Sequence, residues 1–455
     1  MRPTTLQATA RPLPGKRLLL AALCLALAPA LAAMDLLEVY QAAQQQDAII
    51  LGARATAQAG RERLPQARAQ FFPNVSLSVA RNKNDLVSTA PDFTGQEQTT
   101  ESQYPSLNQT LTVRQPLFRR YLTAQYSQAK AQVQDAEATL AQEEQNLAVR
   151  VSGAYFEAML THEQLALILA QRAAYTTQLD AARKSFAGGA GTRTDVDEAQ
   201  ARLDMNLAQE IEARQNVSYT LQQLQTLVNR PIDKLATLDP VKLELTEPQP
   251  NVLQDWIDRA ELNSPQLLSL KAQAEASREE VKKASSGYYP TLDAVAQWSR
   301  SESENVLNVQ SRYTNAALGL QLSIPIYSGG HVSSTVRQAV AGQEHARQAL
   351  EAGRRDLGLR VYKEFRGVTE GIPKVRALAV ALRSADQLVL SSRKSLQAGS
   401  RTVIDVLNAE QQRMLVLRDL AQARYMYLIS KIRLLALVGA ADADALAAIN
   451  RMLKP

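Results

Sequence analysis

Two widely separated parts of the chain follow the same plan, and this repeat constrains the fold more than any other feature. An aromatic pair before a proline occurs at Phe71-Phe72-Pro73 and again at Tyr288-Tyr289-Pro290. An Asp-Val pair after a glycine-containing turn occurs at Asp195 and, 210 residues later, at Asp405. Landmarks that recur in one order at nearly one spacing indicate an internal duplication. The sequence therefore predicts two structural repeats, residues 33–230 and 252–439, joined by a linker of residues 231–251 and followed by a tail of residues 440–455.

The first 32 residues differ from the rest of the chain. Four basic residues, ending with Lys16 and Arg17, precede an apolar run from Leu18 to Leu27 and an Ala-Leu-Ala sequence that ends at Ala32. This is the pattern of a secretory signal peptide, and the run is too short for a membrane anchor. The single cysteine, Cys24, lies inside the run. We therefore expect an exported mature chain without disulfides or cysteine-metal sites.

Several classes of function find little support in the composition. The longest basic runs are pairs, which is not the patch or stripe of a nucleic-acid-binding protein. The three histidines are far apart and lack the spacing of metal ligands. No Ser-His-Asp arrangement is visible in the sequence. We therefore expect no enzyme activity, no cofactor and no nucleic-acid partner.

Each predicted repeat begins with a helix followed by two alternating stretches. The helices are expected over residues 35–69 and 252–286. In the stretches that follow, apolar residues such as Val75, Leu77 and Val79 alternate with polar ones, which is typical of strands. About ten residues alternate in each stretch, and this is the span of a transmembrane strand. A soluble sheet is the alternative interpretation.

The second part of each repeat has the composition of long helices. Residues 119–186 contain no proline and residues 331–397 are their counterpart, whereas return helices are expected over 192–229 and 401–438. Apolar residues recur at coiled-coil spacing. Glycine at Gly188–Gly191 and at Gly399 favours helix ends at the turns. The sequence therefore predicts two helical hairpins, each with a glycine-containing tip. Pro373 with Gly371 predicts a kink in the second hairpin or a surface break without function.

Aromatic residues cluster where the predicted strands end. One set is expected at one membrane interface and comprises Phe71, Phe72, Phe118, Tyr288, Tyr289 and Tyr327. Tyr104, Trp298 and Tyr313 are expected near the other interface. Because four strands cannot close a barrel, the chain must share its barrel with other copies, and the residues alone leave two or three copies open.

Two segments carry a resemblance to a known family. The first is Gly399-Ser400-Arg401-Thr402-Val403-Ile404-Asp405-Val406-Leu407, and the second runs from Ala423 to Ile429. With the strand starts and both tips, they make the chain similar to the TolC family of outer-membrane channels. The resemblance implies a mainly α fold with transmembrane β structure: a homotrimer with a 12-stranded outer-membrane barrel, a periplasmic α-helical barrel and an equatorial collar. It implies a passive exit duct that works with a periplasmic adaptor and an ABC-type or RND-type inner-membrane transporter.

The resemblance also implies roles for particular residues. Arg401 matches the arginine of the periplasmic gate, and Thr194 and Asp195 match its partners in the other repeat. Asp405 matches an acidic ring at the constriction. Asn408 stands where the family has a second acidic ring and Leu396 where it has a tyrosine, so we expect a less charged constriction and a looser lock. The adaptor is expected to dock on the tips, at residues Gly189, Gly191, Thr192, Gly399 and Ser400.

Three alternatives stay open in the sequence. A periplasmic adaptor protein also has a signal peptide and a helical hairpin, although it would have one hairpin flanked by small β-domains. Arg401 and Asp405 could form an ordinary i,i+4 ion pair on a solvated helix face. Residues 85–106 are expected to form a polar loop at the outer mouth, which is either a plain solvated loop or a contact site for phage or toxins. The exported cargo, protein or small molecule, is not encoded in any motif of this chain.

Overall fold

A computed structural model describes residues 33–304 and 310–454. The predicted signal peptide, residues 1–32, lies outside the described residues. The first half contains three short helices, two strands and two long helices, and the equatorial β3 follows. Their bounds are α1 Leu36–Gln46, α2 Ala48–Arg61, α3 Arg63–Ala69, β1 Asn74–Pro91, β2 Glu97–Phe118, α4 Arg120–Ala187, α5 Arg193–Val228 and β3 Thr237–Leu238.

The second half repeats this order. Its elements are α6 Leu253–Asn263, α7 Pro265–Ser285, a 3-10 turn Ser286–Tyr288, β4 Thr291–Glu304, β5 Gln310–Ser323, α8 His331–Gln397 and α9 Val403–Leu437, followed by α10 Ala443–Asn450 and β6 Leu453–Lys454. We call α4 with α5 the first hairpin, and α8 with α9 the second hairpin. The predicted long helices are confirmed to within a residue or two at each end. At about 1.5 Å per residue, α4 and α8 are each roughly 100 Å long.

The prediction of one continuous helix at the start of each half is wrong. Asp47 separates α1 from α2 because its backbone is extended and its carboxylate accepts the Ile49 N–H at 2.9 Å, which starts a new helix. In the second half the break falls at Ser264, before Pro265. Proline suits the first turn of a helix but resists a position inside one. The short helices still stack end to end, with α1 to α3 along α4 and α6 to α7 along α8.

Pro373 lies inside α8, and the helix continues through it. Pro373 has no backbone N–H to donate within the helix, but tertiary packing holds the residues on either side of it. Gly371 lies directly against Tyr427 of α9, and Ile372 and Val375 are buried in the hairpin. A surface break at this position is therefore excluded.

The four long strands form one antiparallel sheet in the order β1-β2-β4-β5. Its register aligns the predicted apolar positions into rows that cross all four strands. One row is Val75, Val113, Ala296 and Leu318, and the next is Leu77, Leu111, Trp298 and Ala316. The apolar residues of all four strands therefore share one face, as the alternation predicts. In a single chain this face is uncovered, and Leu77 is 67% exposed and Leu318 85% exposed.

Three expectations about the sheet are wrong. The strands have 14 to 22 residues rather than about ten. Most of residues 85–106 extend the pairing of β1 with β2 as a β-hairpin, closed by a tight turn at Asp92–Gly95, instead of forming a loop. Tyr104 and Tyr313 lie opposite Asn84 and Ser301, on the polar face. Only Trp298 of the second aromatic set lies on the apolar face.

The core lies midway along the helices, where both ends of the described chain meet. β3 pairs with β6, and Met34 forms a bridge with Leu235. The buried Tyr155 hydroxyl lies 3.0 Å from the carbonyls of both Met34 and Ala236, so α4 holds both segments. No helix within the described ranges has both the length and the apolarity to cross a bilayer.

Candidate gate at the hairpin tips

Both hairpins end in the same backbone structure. In the first tip, the Gly189 N–H donates to the Phe186 carbonyl at 3.0 Å and the Ala190 N–H to Ser185 at 2.9 Å. In the second tip, Gly399 donates to Leu396 at 3.0 Å and Ser400 to Ser395 at 2.9 Å. This is the Schellman motif, which needs a left-handed residue after the helix. Glycine meets that need in both tips, because φ is +74° at Gly189 and +75° at Gly399.

The return helices also begin alike, with reciprocal capping at the first turn. In the second tip the Asp405 carboxylate accepts the Thr402 N–H at 2.9 Å, and the Asp405 N–H donates to the Thr402 hydroxyl at 3.3 Å. Thr192 and Asp195 make the same pair of bonds in the first tip. Sequence reasoning missed the role of the two aspartates in these caps. The Thr-x-x-Asp spacing, a variant of the capping box, was the available signal.

Capping keeps Asp405 ionised. The hydrogen bond from the Thr402 backbone N–H lowers the pKa of the Asp405 carboxyl below its usual 3.8, and the Thr402 hydroxyl and the nearby Arg401 charge act in the same direction. The side chain of Asp405 is bonded through one carboxylate oxygen, Oδ2. A permanent negative charge at neutral pH therefore stands at the start of α9, on the second tip.

Arg401 does not pair with Asp405. Its Nη1 donates instead to the hydroxyl of the fully buried Ser392 on α8, at 3.1 Å, so it ties the turn back to its own hairpin. Thr194 lies in the first turn of α5. Among the described residues of one chain, no hydrogen bond or ion pair joins Arg401 to Thr194 or Asp195. Each of these residues is held within its own tip.

A polar link joins the two hairpins near their tips, through a residue that sequence reasoning missed. Arg202 of α5 donates to the side-chain oxygen of Asn408 at 2.9 Å and to that of Gln411 at 3.0 Å, both on α9. We call these two hydrogen bonds the Arg202 fork. Glu198, one turn earlier on α5, accepts from Arg202 Nε at 2.8 Å and orients the guanidinium. Asn408 therefore accepts from a cation, as an aspartate at this position would. No local pattern reveals a contact between residues 206 positions apart.

Further polar links lie inside each hairpin, above the tips. In the second hairpin Arg393 pairs with Glu410, and Arg413 pairs with Asp386. In the first hairpin the buried Glu210 accepts from Arg214 and Arg172, each at 2.7 Å, and Arg214 contributes most to the lowered pKa of the Glu210 carboxyl. These bonds fix the pairing within a hairpin. By contrast, the Arg202 fork is a polar bond between hairpins near the tips.

The matched family model settles what this architecture is. The model described as outer membrane efflux protein matches residues 39–230 and 256–440, which is most of the chain. The chain belongs to this family. It is therefore an outer-membrane channel, a passive exit duct that extends into the periplasm, and the predicted resemblance is confirmed. The alternative of a periplasmic adaptor is wrong, since two hairpins share one four-stranded sheet.

Individual relatives agree with this assignment. The chain is 32% identical to the alkaline protease secretion protein AprF of Pseudomonas aeruginosa, over 90% of this chain and 85% of the relative. It is 28% identical to the outer membrane protein TolC of Escherichia coli, over 92% of this chain and 85% of that one. Among solved structures, the outer-membrane channel OprN superposes with a TM-score of 0.76 at 16% identity, covering 89% of this chain and 90% of the other, which shows the shared fold.

Proposed function

We propose that this family member works as a homotrimer in a tripartite export system. The observation that carries the proposal is the open four-stranded sheet. Within the described part of one chain, β1 and β5 each lack a partner strand on one side. An unpaired strand edge in lipid leaves backbone groups without hydrogen bonds, at several kcal/mol per group. Three chains joined edge to edge would pair every strand in a 12-stranded barrel. The helices would then form a tube below it, with residues 231–251 and 440–455 as its collar.

The gate is proposed to lie at the hairpin tips. The Arg202 fork would hold the second hairpin against the first, and Asp405 would supply an acidic ring at the constriction. Arg401, Thr194 and Asp195 would contribute further polar links once neighbouring chains are in place. Asn408 would carry no charge of its own, which would halve the charge of the constriction relative to a channel with two rings.

The tips are also proposed as the docking site of a periplasmic adaptor, at Gly189, Gly191, Thr192, Gly399 and Ser400. Their backbone turns are closed by hydrogen bonds and largely exposed, so a partner could recognise their shape without refolding them. The adaptor would join the channel to an inner-membrane transporter of ABC or RND type. For the cargo, the proposal favours an exported protein, because the relatives AprF and PrtF carry the names of protease secretion proteins.

Assembled mass tests the proposal directly. The purified protein in detergent should have three times the mass of its processed chain. Twice the chain mass would indicate an eight-stranded barrel and overturn the trimer. For the cargo, cells that lack the gene should lose an exported protein from the medium; increased drug sensitivity with normal protein export would overturn that part.

A further inference from the structure

The apolar face of the sheet ends in cations on the side away from the helices. Counting outward along the rows, Trp298 is followed by Arg300, and the next row contains Arg81, Leu107, Glu302 and Arg312. Lys83 lies one row farther on the same face. We call the four basic residues Arg81, Lys83, Arg300 and Arg312 the cationic rim. The rim occupies the position where an aromatic girdle was expected.

The height of the rim matches the thickness of a membrane. Leu292 and Leu322 share the first apolar row, next to the helices, and Glu302 and Arg312 share a row ten residues farther along their strands. At about 3.4 Å per residue and a tilt of about 40°, the two rows would be roughly 26 Å apart along the membrane normal. The apolar band of outer-membrane barrels is about 25 Å tall. The rim therefore falls where hydrocarbon gives way to headgroups.

The rim has more positive than negative charge. Glu302 accepts from the Nε atoms of both Arg300 and Arg312 at 2.8 Å, so one carboxylate holds two guanidinium groups in place. Arg81 and Lys83 are exposed, and neither has a carboxylate partner among the described residues. The rows of the rim therefore hold four cations against two carboxylates, because Glu304 lies two positions after Glu302 on β4. Arginine held in this way can present its remaining donors to a phosphate as a fork.

The charge changes sign beyond the rim. The protruding β1–β2 hairpin carries Asp85, Asp92, Glu97 and Glu101 and has no basic residue beyond Lys83. Asp85 is the first acidic residue of β1 beyond Lys83 on this face, and it accepts from Gln103. The basic side chains of the rim thus occupy three successive rows at the outer end of the apolar face.

We propose that the cationic rim binds the phosphate groups of a phosphorylated glycolipid in the outer leaflet. The inference rests on the proposed closure of the sheets into a barrel with its apolar face toward lipid. Closure would also bring the edge strand β1, with Arg81 and Lys83, next to the edge strand β5 of a neighbouring chain, with Arg312. Each seam between chains would then carry cations from both sides, so each trimer would offer three equivalent sites.

Native mass spectrometry of the detergent-purified protein tests this site with a defined probe. The protein is titrated with bis-phosphorylated lipid A and, separately, with the same lipid after removal of its phosphates. The phosphorylated form should bind the assembled protein tightly and the dephosphorylated form weakly. In R81Q/K83Q the affinity for the phosphorylated form should fall about 25-fold, because each cation near a lipid surface contributes about fivefold. The matched control K130Q/R337Q removes two exposed cations of the helices and should bind as the parent does.

Three outcomes would overturn the proposal. Equal binding of the two lipid forms would show that phosphate is not recognised. Equal binding by R81Q/K83Q and the parent would remove the rim from the site. Displacement of the lipid by a few millimolar inorganic phosphate would indicate a small-anion site instead. In all three cases the assembled mass stays threefold, whereas loss of the trimer in every sample would contradict the proposed function itself.

Discussion

At the scale of single residues, the tips combine two uses of the same side chains. Asp405 caps α9 and also carries a negative charge at the proposed constriction. The sequence resemblance pointed to the second use, and the geometry adds the first. A substitution that removes the whole side chain therefore changes both the helix end and the charge. Variants must be chosen so that the two effects separate.

Asp405→Asn and Asp405→Ala should differ at the helix end. Asparagine keeps an oxygen that accepts from Thr402. Alanine removes the bond from the Thr402 N–H but keeps the bond from its own N–H to the Thr402 hydroxyl, so only half of the reciprocal cap is lost, at about 1 kcal/mol. Hydrogen exchange of residues 403–406 should therefore speed up roughly fivefold in Asp405→Ala and little in Asp405→Asn. Equal exchange in both variants would contradict the capping role. Gln412→Ala, an exposed position farther along the same helix, is the control for general loosening.

The cap should also set the pH range over which Asp405 acts. Its pKa is lowered in the folded state, so its contribution to stability is complete above the usual 3.8 and is lost as the pH falls through the lower folded value. Cation selectivity that depends on Asp405 should accordingly persist from neutral pH down to the usual 3.8. Selectivity measured in bilayers between pH 7 and pH 3 would test this. A loss centred near pH 6 would contradict it.

Arg202→Ala should loosen the contact between the hairpins. It removes two exposed charge-assisted bonds to α9, about 1 kcal/mol in total, so the ratio of closed to open channels should fall roughly fivefold. Single-channel recordings should show more frequent or larger openings. Arg193→Ala is the matched control, because Arg193 is an arginine of the same helix that pairs only with its neighbour Asp197. Identical recordings for Arg202→Ala and Arg193→Ala would exclude the fork from the gate.

At the scale of elements, close packing fixes the pairing of the long helices. A Cβ at Gly367 of α8 would approach the Ser430 Oγ of α9 to 2.5 Å, whereas a Cβ at Gly358 of the same helix would meet nothing within 4 Å.

The difference between local properties and contacts of distant residues explains which sequence predictions succeeded. Helix composition and turn glycine predict where long helices begin and end, because these are local properties. Which side chains meet across hairpins depends on packing between distant residues, so the Arg202 fork could not be predicted.

Gly367→Ala and Gly358→Ala should therefore shift stability in opposite directions. The first forces two packed helices apart and should cost about 1–3 kcal/mol. The second replaces glycine by a better helix former in open space and should stabilise the helix by up to about 1 kcal/mol. Thermal unfolding midpoints in detergent, compared with the parent, give the order of the three proteins. A midpoint for Gly367→Ala at or above that of the parent would contradict the packing.

At the scale of the whole molecule, the chain is one part of a barrel. Periodicity predicted four strands with one apolar face, and the register confirms that face across the sheet. The strand lengths were underestimated because pairing of β1 with β2 continues beyond the apolar band, where residues such as Lys83 and Gln103 alternate without a hydrophobic signal. The prediction of an outer aromatic girdle was wrong because it did not consider which face of the sheet each aromatic residue occupies. Tyr104 and Tyr313 are an odd number of positions from Val113 and Leu318, so the period-two alternation already places them on the opposite face.

The proposed function depends most on a gated channel whose constriction carries the charge of Asp405. Single-channel conductance in planar bilayers measures this for the parent, for Asp405→Asn and for the matched control Asp197→Asn, an exposed carboxylate of the first tip. We predict a small cation-selective conductance in the parent and in Asp197→Asn, and a severalfold lower cation selectivity in Asp405→Asn. Equal selectivity in all three would remove Asp405 from the constriction. No conductance from correctly assembled protein, under any voltage, would contradict the channel itself.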